Sequence, residues 1–324
     1  MAAKYVVSVD MGGTKILASV LNSKEGIIAK EKKPTNVEAG TAVYIKDLVD
    51  IIKSVILKAA IKPNQIIAVS IGVPGSVNPV TGNIGLAPNL GLKNFNIRKV
   101  LQRKIKFPVL IENDVNLAAL GIKNFGVGKE RKNILVVSVG TGIGGGIIID
   151  NKIYRGSNFV AGEIGHIPVL KNGPLCGCGK KGCFEAVASR TAIVNKIVSD
   201  IKQGRRSILK EYVRNGKRIK SGMLRTAVEK KDKVVIKRIT EAGETIGVVL
   251  AGLANLMNFD MIVLAGGLIE ALDKYMLPIV KKSFQNHVLP DSAVGLKIVA
   301  SKLADDAAIF GGIALAEEHL EIKV

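Results

Sequence analysis

Three stretches of the chain carry residue types that can do chemistry. The first is Glu112-Asn113-Asp114, which follows Pro108-Val109-Leu110-Ile111. That apolar run reads as a short buried strand, and open α/β sheets present ligands at the C-terminal ends of their strands. Asp114 is therefore a candidate general base. The run Val115-Asn116-Leu117-Ala118-Ala119-Leu120-Gly121 then reads as a helix start, so Asp114 can equally be its N-cap, with Asn116 nearby. The two roles are compatible, because a carboxylate near a helix N-terminus keeps its anionic form.

The second stretch is a pair of glycine turns. Asp10-Met11-Gly12-Gly13-Thr14-Lys15 lies between two apolar runs, a strand–glycine–strand hairpin. Glycine lets backbone N–H groups turn toward a phosphate, to which Thr14 and Lys15 add a hydroxyl and a cation. Asp10 would repel phosphate unless Mg²⁺ lay between them; an ordinary β-turn is the plain alternative. In the other half, Gly140, Gly142 and Gly145 satisfy G-x-G-x-x-G after a strand, with Thr141 and Gly144 among them. The dinucleotide fingerprint needs a helix next, and the P-loop needs Lys-Ser/Thr. An Ile-rich strand and Asp150-Asn151-Lys152 follow instead, so both readings fail and a second hairpin remains. Two such hairpins point to a duplicated α/β fold that holds a triphosphate from both sides.

The third stretch is the densest. Gly162-Glu163-Ile164-Gly165-His166 precedes Cys176-Gly177-Cys178-Gly179-Lys180-Lys181-Gly182-Cys183-Phe184-Glu185, and these three cysteines are all the chain has. An odd, clustered count argues against a disulfide framework. Three Cys and one His form the ligand set of a closed zinc site, which would be structural because no coordination position stays open. Free thiols in a turn and a redox C-x-C pair are the alternatives.

Elements must position these groups. Residues 40–60 carry a helical pattern, and Ile66–Ile71 reads as a buried strand ending in Gly72-Val73-Pro74-Gly75-Ser76. Asn89, in a Gly/Pro/Asn-rich region, offers a donor and an acceptor to a hydroxylated ligand or is an exposed turn residue. From about Thr191 to Leu256 the chain reads as helical, broken near Gly204, Gly216 and Gly222. Asp260–Ile269 reads as strand, Gly266-Gly267 turn, helix; a flat ligand such as adenine can lie on backbone without side chains there. Asp305-Asp306 reads as the caps of an apolar helix that packs back on the first domain. No sequence repeat or low-complexity segment stands out.

The totals bound the function. A chain of 324 residues with 48% hydrophobic residues suggests two domains with a substantial core. Charged residues at 23% and mean hydropathy +0.29 are globular values. No apolar run approaches the roughly eighteen residues of a membrane span, and the start lacks the features of a signal peptide. A cytoplasmic protein without membrane partners is expected. The formal charge of +20 invites a nucleic-acid partner, but Lys and Arg are spread along the chain, with five Tyr, eight Phe and no Trp as stacking platforms. The denser basic stretch from Arg205 to Lys220 reads as a solvated helix face, and no nucleic-acid partner is expected.

With these motifs placed, nearly the whole chain resembles the ROK family of sugar kinases, in the actin/hexokinase-like ATPase fold. The first phosphate motif matches Asp10 to Lys15, the second Gly140 to Gly145, and the catalytic Glu-Asn-Asp Glu112 to Asp114. Glu-x-Gly-His matches Glu163, Gly165 and His166. The zinc loop Cys-Gly-Cys-Gly-x-x-Gly-Cys-x-Glu matches Cys176 to Glu185 at each specified position, and the adenosine Gly-Gly resembles Gly266-Gly267. Asn258-Phe259-Asp260 stands where Asn-Pro-Asp is frequent. The resemblance implies duplicated actin-like (ribonuclease H-like) domains, two lobes with a cleft between: residues 1–115 with 302–324, and 116–301 with the zinc loop. It implies a kinase using ATP, Mg²⁺ and structural Zn²⁺, with Asp114 taking the proton from a hexose 6-hydroxyl. The implied sugar contacts are Asn89, Asn113, Asp114, Glu163, His166 and Glu185, with Gly75 nearby, and one His166 ring nitrogen would face zinc and the other the sugar. Glucose is the first expectation; mannose, fructose and N-acetylhexosamines stay open, as do polyphosphate as donor, a sugar-sensing regulator of the same family and an ATPase without a sugar. Regulators of the family carry a winged DNA-binding segment in front, for which the motif at Asp10 leaves no room. A homodimer is typical of such enzymes.

Overall fold

Strands form where β-branched apolar runs lie between glycine and polar breaks. In the computed structural model, which describes residues 3–35 and 37–324, the chain begins β1 (Tyr5–Met11), β2 (Lys15–Asn22), β3 (Gly26–Pro34), α1 (Thr41–Ala59) and β4 (Ile66–Val73). Then come β5 (Ser76–Asn78), β6 (Asn83–Ala87), β7 (Leu92–Asn96), α2 (Ile97–Gln102), β8 (Val109–Asn113) and α3 (Asp114–Phe125). The middle runs β9 (Ile134–Val139), β10 (Ile143–Ile149), β11 (Lys152–Ile153), α4 (Phe184–Ala188), α5 (Arg190–Lys202), α6 (Lys210–Arg214), α7 (Ser221–Glu229) and α8 (Lys233–Met257). The chain ends β12 (Met261–Ala265), α9 (Gly267–Gln285), α10 (Pro290–Ala293), β13 (Lys297–Ala300) and α11 (Asp306–Leu320).

Two five-stranded sheets repeat one order: β3-β2-β1-β4-β8 and β11-β10-β9-β12-β13. In each, the hairpin edge is antiparallel and the other edge parallel. β5, β6 and β7 form a small third sheet. The duplication expected from the two glycine hairpins is thus present in strand order, without sequence repetition. Among the described residues no helix is long and apolar enough to cross a membrane.

The chain divides into two compact units. The first takes the residues up to Glu130, Gly146–Ala161 and Asp305–Val324; the second takes Arg131–Gly145 and Gly162–Ala304. The family resemblance places the boundaries at 115 and 302 instead.

In the first unit, β1 is covered on both faces: Val6, Val7, Val9 and Met11 are fully buried. This is why residues 4–10 alternate only weakly. Leu48, Ile52 and Val55 of α1 join the core on one side. On the other, Ile309 and Ile313 of α11 pack on Leu17 and Leu21. Ser70 Oγ donates to the Gly312 carbonyl at 2.8 Å. The packing of α11 agrees with the sequence reading, but its aspartates do not act as caps. Asp305 occupies the N-cap position without a side-chain cap bond, because its carboxylate pairs with Lys15 and that of Asp306 with Lys30. β10 and β11 join through Asp150 and Asn151, at φ 48° and 67°, the left-handed pair of a tight hairpin.

Helices α3 and α11 cross with almost nothing between them. A Cβ on Gly121 would overlap the Ala307 carbonyl, and one on Gly311 the Leu117 carbonyl. Both obstacles are backbone, so neither can rotate away. Gly311→Ala is expected to destabilise the protein by at least ~1–3 kcal/mol, the usual cost of overpacking. Urea unfolding measures it; an unchanged midpoint would show that the crossing opens freely.

In the second unit β12 lies between β9 and β13, parallel to both. Ile262, Val263 and Leu264 of β12 are fully buried, and Gly243 and Gly247 of α8 let Ile279 and Ser283 of α9 approach. The basic stretch from Arg205 to Lys220 is exposed, as expected. It is not one helix: only α6 is helical within it, because Gly204 and Gly216 take φ of 88° and 62° and Leu209 and Ile219 turn inward. Gly222 lies inside α7 and breaks nothing.

Candidate functional site

Strand register brings the first unit's candidates to one edge. Asp10 is opposite Gly72, Gly72 opposite Glu112, and Val73 opposite Asn113. The first glycine turn, the Gly72–Gly75 turn and Asp114 therefore share the carboxyl ends of three parallel strands, where α/β sheets bind ligands. Gly12 N–H donates to the Lys15 carbonyl at 2.9 Å, closing the first turn. A Cβ on Gly13 would lie 2.8 Å from the Asn89 carbonyl, so this turn abuts the one carrying Asn89. Thr14 and Asn89 are exposed, and Lys15 is held by Asp305.

Asn113, not Asp114, is the N-cap of α3. Its Oδ1 accepts from Val115 N at 2.9 Å and Asn116 N at 3.0 Å, and its Nδ2 donates to the Gly75 carbonyl at 3.0 Å. Only one amide hydrogen of Asn113 is left over from these bonds. Asp114 is the first helical residue, and its Oδ1 also accepts from Val115 N at 2.9 Å. The helix dipole favours its anion. Glu112, buried beneath, accepts from Asn113 N at 2.9 Å and Asn116 Nδ2 at 3.1 Å. Asp10 differs. Burial, and then the charge of Asp114, push its carboxyl up to about 7, with Asp305 adding and Lys15 opposing.

The second unit holds the second glycine turn and the cysteine loop. Gly140 N–H donates to the Gly142 carbonyl at 2.9 Å. A Cβ on Gly142 would meet the tip of the Glu185 side chain, whose Oε2 accepts from Ile143 N at 2.9 Å. Its other oxygen is 3.9 Å from Cys176 Sγ, so Glu185 links the turn to the cysteine loop. Glu163 Oε2 lies 3.7 Å from His166 Nε2, both side chains being exposed. Gly266 takes φ 89° with its Cα against Val139, and Gly267 opens α9 with open space beside it.

His166, Cys176, Cys178 and Cys183 bring their donor atoms within 4.8 Å of one another. Zn–S of about 2.3 Å and Zn–N of about 2.0–2.1 Å in a tetrahedron put neighbouring donors roughly 3.5–3.8 Å apart. Cys178 Sγ and Cys183 Sγ are 3.7 Å apart, as are Cys176 Sγ and His166 Nδ1. The four side chains fit a zinc ion. Burial pushes the Cys176 thiol up to about 12, so such an ion would displace its proton. Facing Nδ1 inward leaves Nε2 on the Glu163 side.

Two residues that the sequence reading passed over adjoin the second turn. Arg190 N donates to the Gly140 carbonyl at 3.0 Å, and its Nη2 to Thr141 Oγ1 at 2.5 Å. Thr191 Oγ1 donates to the Thr141 carbonyl at 2.7 Å. Both line a cavity of about 360 Å³ that also takes in Lys217 and Arg218. Burial, and then the Arg218 charge, hold Arg190 below the usual arginine value. The visible signal was Ser189, whose side chain caps α5 through Ala192 N at 3.2 Å. A cap announces a helix and does not say that its first residue reaches back 49 positions.

The ROK family pattern matches residues 6–319. A glucokinase of Halalkalibacterium halodurans is 34% identical over 98% of this chain and 97% of its own. A xylose repressor of Caldicellulosiruptor bescii is 31% identical over 96% of this chain and 77% of its own. Among solved structures, a ROK family glucokinase of Streptomyces griseus in complex with glucose and AMPPNP superimposes with a TM-score of 0.82, at 30% identity, over 97% of this chain and 99% of that one.

Proposed function

The chain belongs to the ROK family, with its duplicated actin-like ATPase fold, and on that premise we propose that it is an ATP-dependent hexose kinase acting on the 6-hydroxyl of glucose or a related hexose. The observation that carries the reading is the convergence of Asp10, the first glycine turn and Asp114, the first residue of α3, at one edge of three parallel strands. The end-to-end likeness to a glucokinase supports it.

On this reading Asp114 accepts the hydroxyl proton as the sugar oxygen attacks the γ-phosphorus. The new O–P bond forms, the bond to the bridging oxygen breaks, and ADP leaves. Phosphoryl transfer depends mostly on positioning and charge stabilisation. By the family resemblance, Gly12, Gly13, Thr14, Lys15, Gly140, Thr141, Gly142 and Gly144 bind phosphate. Gly266, Gly267, Arg190 and the cavity beside it take the nucleoside end. By the family resemblance, Gly75, Asn89, Asn113, Asp114, Glu163, His166 and Glu185 bind the hexose. Magnesium held at Asp10 would neutralise phosphate charge. Zinc held by His166, Cys176, Cys178 and Cys183 would brace the loop that carries Glu163, without an open position for chemistry. The protein is proposed to work in the cytoplasm as a homo-oligomer, with the lobes implied by the family resemblance.

The test is ADP release in a coupled assay across glucose, mannose, fructose, N-acetylglucosamine and N-acetylmannosamine, with ATP and polyphosphate compared as donors. Hexose-dependent ADP release supports the reading, and its absence with every sugar and donor refutes it. Sugar binding without turnover would place the chain with sugar-sensing relatives such as the xylose repressor.

Asp10 gives an independent check. Its folded pKa of about 7 lies above the ordinary 3.8, so the folded protein keeps a proton that the unfolded chain releases. That stabilisation is complete below about pH 4 and is lost as pH rises through 7. Asp10→Asn is thus expected to raise stability at pH 8 by about 2–4 kcal/mol without ligands, with no gain at pH 4, while abolishing MgATP binding. Urea unfolding at the two pH values and calorimetry measure both. A variant that gains nothing at pH 8, or binds MgATP normally, would exclude this role.

A further inference from the structure

Glu112 is 1% exposed, and burying a carboxylate is costly unless it is well partnered. Besides Asn113 N and Asn116 Nδ2, its partner is Arg155, whose Nε donates to Oε2 at 2.7 Å. Arg155 follows β11 in the chain and lies 43 positions from Glu112. Its terminal nitrogens donate to both oxygens of Glu318 on α11, at 3.1 and 3.3 Å. One guanidinium thus serves two carboxylates, a fork that lysine cannot reproduce.

The dependence runs one way. Arg155 holds Oε2 of Glu112 and so turns Oε1 toward Asn113 N and Asn116 Nδ2. Asn113 in turn caps α3, and Asp114 is the next residue. Without Arg155, Oε2 of the buried Glu112 carboxylate has lost its cationic partner, and the side chain must turn or admit water. Asn113 N and Asn116 Nδ2 both donate to Oε1, so a carboxyl that turns to find a new partner for Oε2 takes Oε1 away from them.

We infer that Arg155 is a positioning residue for the base: it fixes the first turn of α3, and with it the direction of Asp114, through the orientation of the Glu112 carboxylate. The inference rests on the kinase reading, in which Asp114 is the base. The bland alternative is that Arg155 merely fastens α11 through Glu318.

The experiment compares Arg155→Met, Arg155→Lys, Glu318→Gln and the double variant Glu112→Gln/Arg155→Met by steady-state kinetics, with amide hydrogen exchange. Arg155→Met is expected to lower kcat by roughly 10–100-fold, as loss of a supporting partner does elsewhere, with both KM values within about twofold. Exchange should rise at Val115 and Asn116 and not in α1. Arg155→Lys should recover most of kcat, and Glu318→Gln should keep it within about threefold. The double variant should regain part of the loss, because a buried amide at 112 does not need a cationic partner. A folded Arg155→Met with normal kcat overturns the inference, as does a Glu318→Gln defect as large as that of Arg155→Met. If Arg155→Met does not fold, Arg155→Lys and Glu318→Gln decide on the same criteria. If the wild-type protein transfers phosphate to no hexose, the kinase reading fails, and local exchange at Val115 and Asn116 still decides whether Arg155 sets this turn.

Discussion

Asp114→Asn lowers kcat for hexose phosphorylation by roughly 10²–10⁴-fold, the contribution of a general base, and leaves KM for ATP little changed. Asparagine is the sharper probe than alanine. It keeps an oxygen for the Val115 N–H that Asp114 Oδ1 accepts at 2.9 Å, so the helix start survives and only basicity is lost. Asp114→Ala is expected to lose as much turnover, with a small added loss of stability. A second signature comes from Asp10, whose carboxyl is pushed up partly by the charge of Asp114. Its titration in Asp114→Asn should move down, readable by NMR. Near-normal turnover in Asp114→Asn would assign the proton to another acceptor.

Cys178→Ala removes bound zinc and hexose affinity together. This cysteine suits the experiment because it is exposed, whereas Cys176 and Cys183 are buried and their truncation would also leave cavities. One lost ligand opens a site of four donors, and the loop between Glu163 and Glu185 loses its brace. The expected result is loss of about one zinc per chain by elemental analysis and a hexose Kd weakened by roughly 10–100-fold. ATP affinity should move far less. Full hexose affinity in a zinc-free variant would leave the metal without that bracing role.

The local parts of the site were legible because they are contiguous. The Cys176–Cys183 spacing, the glycines after two strands, and Asp114 at a strand end are each written within a dozen residues. Their structural reasons were less so. Asp114 and Asn113 are both good caps by type, and only the bonds to Val115 and Asn116 assign the cap to Asn113. Gly142 matched a phosphate motif, yet a Cβ there would meet the tip of the Glu185 side chain. Asp305 and Asp306 looked like caps because their partners, Lys15 and Lys30, lie 290 and 276 positions away. Arg155 gave no signal, being one basic residue among 47, distinguished only by the two carboxylates that folding brings to it.

The first unit is sewn shut by its last helix. Ser70 bonds to a carbonyl 242 positions later and Ser8 to one 300 positions later, while Ile309 and Ile313 cover Leu17 and Leu21. During translation this apolar surface must wait, uncovered, until α11 has left the ribosome, Asp305 lying 290 positions after Lys15. At about 5–20 residues per second, that leaves at least ~15 s between the first hairpin and its lid. A nascent chain stalled before Asp305 would expose Leu17 and Leu21 throughout, a natural target for the cell's holding chaperones.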